Sequence, residues 1–139
     1  MIKTNTKTIG DIGESAILSE FSYYGIPVYL PFSDNTEVDM IADFGGKLNK
    51  IQVKTTENII KGVMKFNTGS RRYGVDHKYG NDEIDYLALY CVENRMACLI
   101  KYDGSNSRAI SFRVQPTTNG QVLGTRYARD FTFDKYFTR

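Results

Sequence analysis

The chain has 139 residues, 41% of them apolar, with ten tyrosines, eight phenylalanines and only three prolines. That describes one globular, sheet-rich domain able to bury its own core rather than a disordered tail. No apolar run approaches the roughly 20 residues of a membrane span and no charged-then-apolar leader opens the sequence, so a protein of the cytoplasm, with no membrane contact, is expected. Net charge is only +2 but unevenly spread: residues 1–60 hold five Lys/Arg against eight Asp/Glu, and residues 61–139 hold thirteen against eight. An acidic half with clustered carboxylates beside a basic half suits a metal-using protein that meets a polyanion.

In chain order, "KTIGDIGESAILSEFSYYGI" spaces Ile9, Ala16, Ile17, Phe21 and Tyr24 on a helical period, with Gly25 as its stop and Glu14 in its first half. "IPVYLPF" (26–32) reads as a short strand that Pro27 and Pro31 confine to an edge or an end. "VDMIADF" and "KLNKIQVKT" read as two strands joined by Gly45-Gly46, a pair that accepts the positive φ of a tight hairpin. A strand follows at "GVMKFN" (62–67), and the polar, basic stretch 68–83 reads as loop with at most one helical turn. "IDYLALYCV" (84–92), "MACLIKY" (96–102) and "AISFRV" (109–114) are strands, and the tail from Gln115 ends in short helical segments. Cys91 and Cys98 fit neither a redox pair nor a zinc knuckle. In a hairpin turning at Glu93-Asn94 they lie opposite Met96 and Leu89, as plain core thiols.

The hairpin around Gly45-Gly46 carries the chemistry. With a two-residue turn, cross-strand partners sum to 91, so Asp39 lies opposite Gln52 and both point to one face, with Lys54 on that face two positions on. A four-residue turn would pair Asp39 with Lys54 and keep all three together, whereas an odd turn would separate them. An acid, an amide oxygen and an ammonium on one face suit a hard-cation site with a water activator. Mg²⁺ takes oxygen ligands, one or two of them carboxylates. Asp39 would anchor it, the Gln52 side-chain oxygen and the Val53 carbonyl would be neutral ligands, and Lys54 would orient the attacking water. An exposed hairpin face with ordinary polar residues has the same pattern, and spacing does not separate the two.

With Glu14 in "GDIGESAILSEF", Asp39 in "EVDMIAD" and Gln52-Val53-Lys54 in "IQVKT", followed by "DEIDYLALY" and "ISFRVQPTTNGQ", the sequence resembles the PD-(D/E)xK nuclease superfamily over most of its length. Within it, the resemblance is to the group I intron-associated homing endonucleases, in which glutamine replaces the second acid. It implies an α/β fold with a restriction-endonuclease-like core, a central mixed sheet flanked by helices. It further implies that Glu14 joins the metal site directly or through water, and that the activity is Mg²⁺-dependent, site-specific cleavage of double-stranded DNA. Two departures stand out: Val38 where the family name has proline, and neutral Gln52 where most members have an acid, which should weaken metal binding. A junction resolvase, a restriction-type nuclease or a non-cleaving DNA-binding relative would share the same core.

Lys61, Lys65, Arg71, Arg72, Tyr73, His77 and Lys78 mix cations with aromatics just after that site and form the expected DNA-binding surface. Arg113, Arg126, Arg129, Lys135 and Arg139, interleaved with Asp130 and Asp134, are a weaker second surface. His77 is the only histidine, which argues against nucleases built on several histidine ligands and against a Ser-His-Asp hydrolase. Because one centre cuts one strand, a homodimer or tetramer is expected, with strands 84–102 and the aromatic tail as its interface.

Overall fold

The computed structural model describes residues 5–33, 35–72, 75–77, 84–104, 108–116 and 125–139. Helix α1 (Thr6–Tyr23) starts where the Asn5 side chain accepts the Thr8 N–H at 2.9 Å. It ends at Gly25, whose φ of +71° lets the Ile26 N–H return to the Phe21 carbonyl and the Gly25 N–H to that of Ser22. These two bonds satisfy carbonyls that the last turn would otherwise leave unpaired. Gly13, Ile17 and Phe21, spaced by four, are buried along one stripe.

That stripe lies on a five-stranded sheet of order β1-β2-β3-β7-β8: β1 (Val28–Tyr29), β2 (Met40–Phe44), β3 (Lys47–Thr56), β7 (Tyr86–Cys91) and β8 (Met96–Lys101). Neighbours run antiparallel except β3 and β7, which are parallel, so the sheet is mixed as expected. Only two residues of the 26–32 stretch pair as strand, on the sheet's edge, where flanking prolines that lack an N–H do least harm. Met40, Ala42, Ile51, Val53, Ala88 and Leu99 face α1.

Among the described residues the helical cover of the sheet is α1 alone. The opposite face is covered by a two-stranded antiparallel ribbon, β4 (Val63–Asn67) with β9 (Ala109–Arg113). Its inward Met64, Phe66 and Phe112 pack on Leu87, Leu89, Cys91 and Cys98. Cys91 pairs with Met96 and Cys98 with Leu89, both thiols are free, and burial pushes Cys98 up to about 12. They are core residues.

Two expectations are corrected. The 68–83 stretch, read as loop with a helical turn, contains β5 (Ser70–Arg72) and β6 (Val75–His77), paired antiparallel with Arg72 opposite Val75. A backbone ladder needs no apolar period, which is why periodicity missed it. The tail does carry two 3₁₀ turns, Ala128–Asp130 and Phe133–Lys135. Its aromatics, however, close the protein's own core: the Phe133 ring meets Phe21 at 5.0 Å and Phe137 meets Phe44 at 5.1 Å. Leu87, Leu89, Ala97 and Leu99 are buried too, so the apolar character that suggested an interface there is used internally. Among the described residues no helix is long and apolar enough to cross a membrane.

Asp85 fastens the entry of β7. Its carboxylate accepts the Lys50 N–H at 2.8 Å and the Lys47 ammonium at 3.0 Å, and its own N–H bonds the Lys50 carbonyl. Burial alone would raise this carboxyl; the Lys50 N–H and the Lys47 and Lys50 charges outweigh it and hold it below the ordinary carboxylate range. A depressed folded-state value contributes stability that is present at neutral pH and lost as pH falls through the carboxylate range. Asp85→Ala should therefore lower the unfolding free energy by about 1.5–3 kcal/mol at pH 7. Urea titrations at pH 7 and pH 3 should show the gap between wild type and variant shrinking in acid; an equal gap at both would refute the assignment.

Candidate active site

The Gly45-Gly46 turn has φ of 65° and 73°, the Phe44↔Lys47 pair closes it, and Met40↔Ile51 confirms the two-residue register. Asn49, buried beneath the turn, donates its amide to the carbonyls of Ala42, Phe44 and Lys47 and holds it in place. Asp39 therefore stands at the end of the ladder beside Gln52. One oxygen of its carboxylate, Oδ2, accepts the Gln52 Nε2 and the Val53 N–H, each at 2.8 Å.

Gln52 is only 8% exposed. A carboxylate oxygen accepts but does not donate, so the amide's NH₂ end faces Asp39, also reaching the Val53 carbonyl at 3.4 Å. Its Oε1 is buried with no hydrogen-bond partner among the described residues. A buried amide oxygen without a donor is destabilising by itself, commonly by about 1–3 kcal/mol, and such a group asks for an explanation.

Glu14 comes from α1. Its carboxyl hydrogen-bonds that of Asp39 and is pushed up to about 7, first by burial, then by that bond and by the charges of Asp39 and Asp11. Asp39 is raised by burial, against the Val53 N–H, Glu14 and Lys54, which favour its charged form. Half-buried Lys54 is lowered by burial, and the charges of Asp39 and Glu37 oppose that. Glu14 and Asp39 also border an open cleft of about 280 Å³, whose other wall includes Leu30 and Phe32.

The structure thus brings Glu14, Asp39, Gln52, Val53 and Lys54 together. Val53 enters through its backbone, since its side chain is buried in the core. Among the described residues no three of His, Cys, Asp and Glu cluster, because Gln52 stands where a third acid would complete the set. Two carboxylates and the Val53 carbonyl, joined by the Gln52 oxygen if that amide turns over, nevertheless supply an all-oxygen donor set, which fits a hard divalent cation.

The expected DNA-binding residues are more dispersed. Lys61 has a φ of 52° in the tight link before β4, Lys65 is exposed on β4, and Arg71, Arg72 and His77 lie on β5 and β6. Tyr73 and Lys78 fall outside the described residues. Sequence reasoning passed over Glu37, whose charge acts on Lys54, and the Leu30–Phe32 rim of the cleft. The rim's only signal was Leu30 and Phe32 on either side of Pro31, at the end of a stretch read as strand.

Gly13 sets how closely Glu14 approaches. A Cβ there would come within 1.8 Å of Thr55 Oγ1 and 2.9 Å of Thr55 Cβ, closer than real side chains pack. Rotating the hydroxyl relieves the first contact but not the second. Gly13→Ala should destabilise the fold by about 1–3 kcal/mol and push α1 off β3. Thermal unfolding checks this, and an unchanged midpoint would show that the approach is looser than described.

The profile of the PD-(D/E)XK endonuclease family matches residues 4–134. A solved structure described as that of a bacterial homing endonuclease, I-Ssp6803I, shares the fold with a TM-score of 0.75, over 96% of this chain and 92% of that one, at 21% identity. Comparison with curated proteins finds no match.

Proposed function

The chain belongs to the PD-(D/E)XK endonuclease family, phosphodiester hydrolases acting on DNA with the help of a divalent metal, and on that premise we propose that it is a Mg²⁺-dependent, site-specific double-strand endonuclease of the homing type. The observation that carries the site assignment is the buried Gln52 amide, which donates its Nε2 to the Asp39 carboxylate and leaves its Oε1 without a hydrogen-bond partner among the described residues. The homing role draws support from the fold shared with a protein described as a homing endonuclease.

Asp39 and the Val53 carbonyl would hold the cation, with Glu14 at the rim; Gln52 would add its Oε1 by turning its amide over, since its Nε2 is the end that faces both groups here. When bound, a divalent cation of this kind polarises the phosphate and makes water a stronger nucleophile at neutral pH. The chain's residues do the rest. Lys54, on the same face of β3 as Gln52, offers ammonium protons that orient the incoming water and counter the charge growing on the phosphate oxygens. Burial lowers the Lys54 ammonium and so eases release of a proton from Nζ. The water oxygen bonds to phosphorus as the bond to the leaving sugar oxygen breaks in line, the water's proton passing to solvent and the leaving oxygen taking a proton from solvent.

Lys54→Ala and Asp39→Asn should each abolish Mg²⁺-dependent linearisation of a plasmid carrying the target, leaving DNA affinity within about tenfold, since phosphate contacts by the basic residues supply most of it. Full activity in either variant would remove the assignment. Cutting both strands at one site calls for two such centres in fixed register, and a closed two-fold assembly provides it. Light scattering at micromolar concentration should report a dimer or tetramer; a monomer that stays monomeric on DNA yet cuts both strands together would overturn the assembly.

A further inference from the structure

In the β4–β9 ribbon, Met64, Phe66 and Phe112 point inward and are buried. Alternation turns Lys65, Asn67 and Ser111 the other way, and all three are exposed. The register sets Lys65 directly opposite Ser111, with Asn67 two residues further along β4, so the three form one polar patch. None of their side chains hydrogen-bonds another described residue.

The patch is continuous with the catalytic strand. Lys65 and Asn67 line a groove of about 440 Å³ whose other wall is Thr56 and Asn58, and no residue lining it is acidic. Thr56 follows Lys54 by two residues on β3 and so shares the strand face that carries Gln52 and Lys54, about 7 Å further along. The groove begins where the catalytic residues end.

A two-stranded ribbon is one of the two elements that fit the major groove of B-DNA, which is about 12 Å wide. The side chains on this face suit base edges: an asparagine amide pairs with adenine N6 and N7, a serine hydroxyl donates or accepts, and a lysine holds guanine or phosphate. We propose that the outer face of the β4–β9 ribbon reads base edges in the major groove beside the scissile phosphate, with Asn67 and Ser111 setting sequence preference and Lys65 anchoring the backbone. The proposal rests on the reading of the chain as a double-strand DNA endonuclease, and it separates base reading from the phosphate binding expected of the arginines on β5.

The test is cleavage of a randomised duplex library by the full chain with Mg²⁺, sequencing the cut ends. Asn67→Ala and Ser111→Ala, both at exposed positions, should keep the thermal midpoint and cut a permissive substrate within about threefold of wild type. Each should lose about tenfold of base discrimination at one or two adjacent positions near the cut, leaving the others unchanged. Lys65→Ala should instead weaken binding to all sequences alike and reduce the slope of log affinity against log salt by about 1. If the unaltered protein cuts no duplex, the functional reading falls and the ribbon assignment with it. If it cuts with a preference that both alanine variants leave intact, or with no preference at all, that face has another occupant and the ribbon assignment alone is overturned.

Discussion

Asp39 Oδ2 accepts two N–H groups from the neighbouring strand, the Val53 backbone and the Gln52 amide, and the geometry of the candidate site follows from that one oxygen. The paired strand β2 begins at Met40, and where the ladder stops a side chain takes over from the backbone as acceptor. The Val53 N–H is thereby satisfied, the carboxylate is fixed against β3, and Gln52 is oriented with its oxygen away from the acid. The Glu14 carboxyl meets the same group from the helix, which it can do because a glycine precedes it at the helix–sheet contact.

Neutral Gln52 changes the electrostatics of the arrangement. With a third acid at this position, three carboxylates would crowd a partly buried space and repel one another by several kcal/mol at short range. With glutamine, the amide donates to Asp39 and the acidic pair needs only one shared proton to settle. The resting protein is therefore better satisfied than a three-acid centre would be, and one formal charge fewer faces a cation. The trade is a centre that folds stably by itself against one that grips metal tightly.

The sequence made the local features legible and left the distant ones obscure. Gly45-Gly46 dictates a two-residue turn, so Asp39, Gln52 and Lys54 could be placed on one face by counting, and the Cys91 and Cys98 partners followed the same way. The first helix and its Gly25 stop were equally plain, because periodicity and capping are short-range signals. The parallel pairing of β3 with β7 joins segments more than thirty residues apart, and no local pattern announces it. The β4–β9 ribbon could be read as strands but not as the cover of the second sheet face. Phe133 belongs to the core only because the tail returns to Phe21, and the polar β5–β6 pair has no hydrophobic rhythm to betray it.

The contrast between near and far contacts also bears on the order in which the molecule assembles. Asp39, Gln52, Val53 and Lys54 all belong to one hairpin closed by a two-residue turn, a unit that forms in about 1–10 μs in isolated peptides. The β3–β7 and β4–β9 pairings must close far longer loops and come later for that reason. During synthesis the hairpin emerges before β7, β8 and β9 exist, so the centre's strand-borne residues can meet while the surface that would select a DNA sequence is still unmade. In a nascent chain the geometry of the candidate site precedes the ribbon proposed to discriminate, and only completion of that ribbon would join the two.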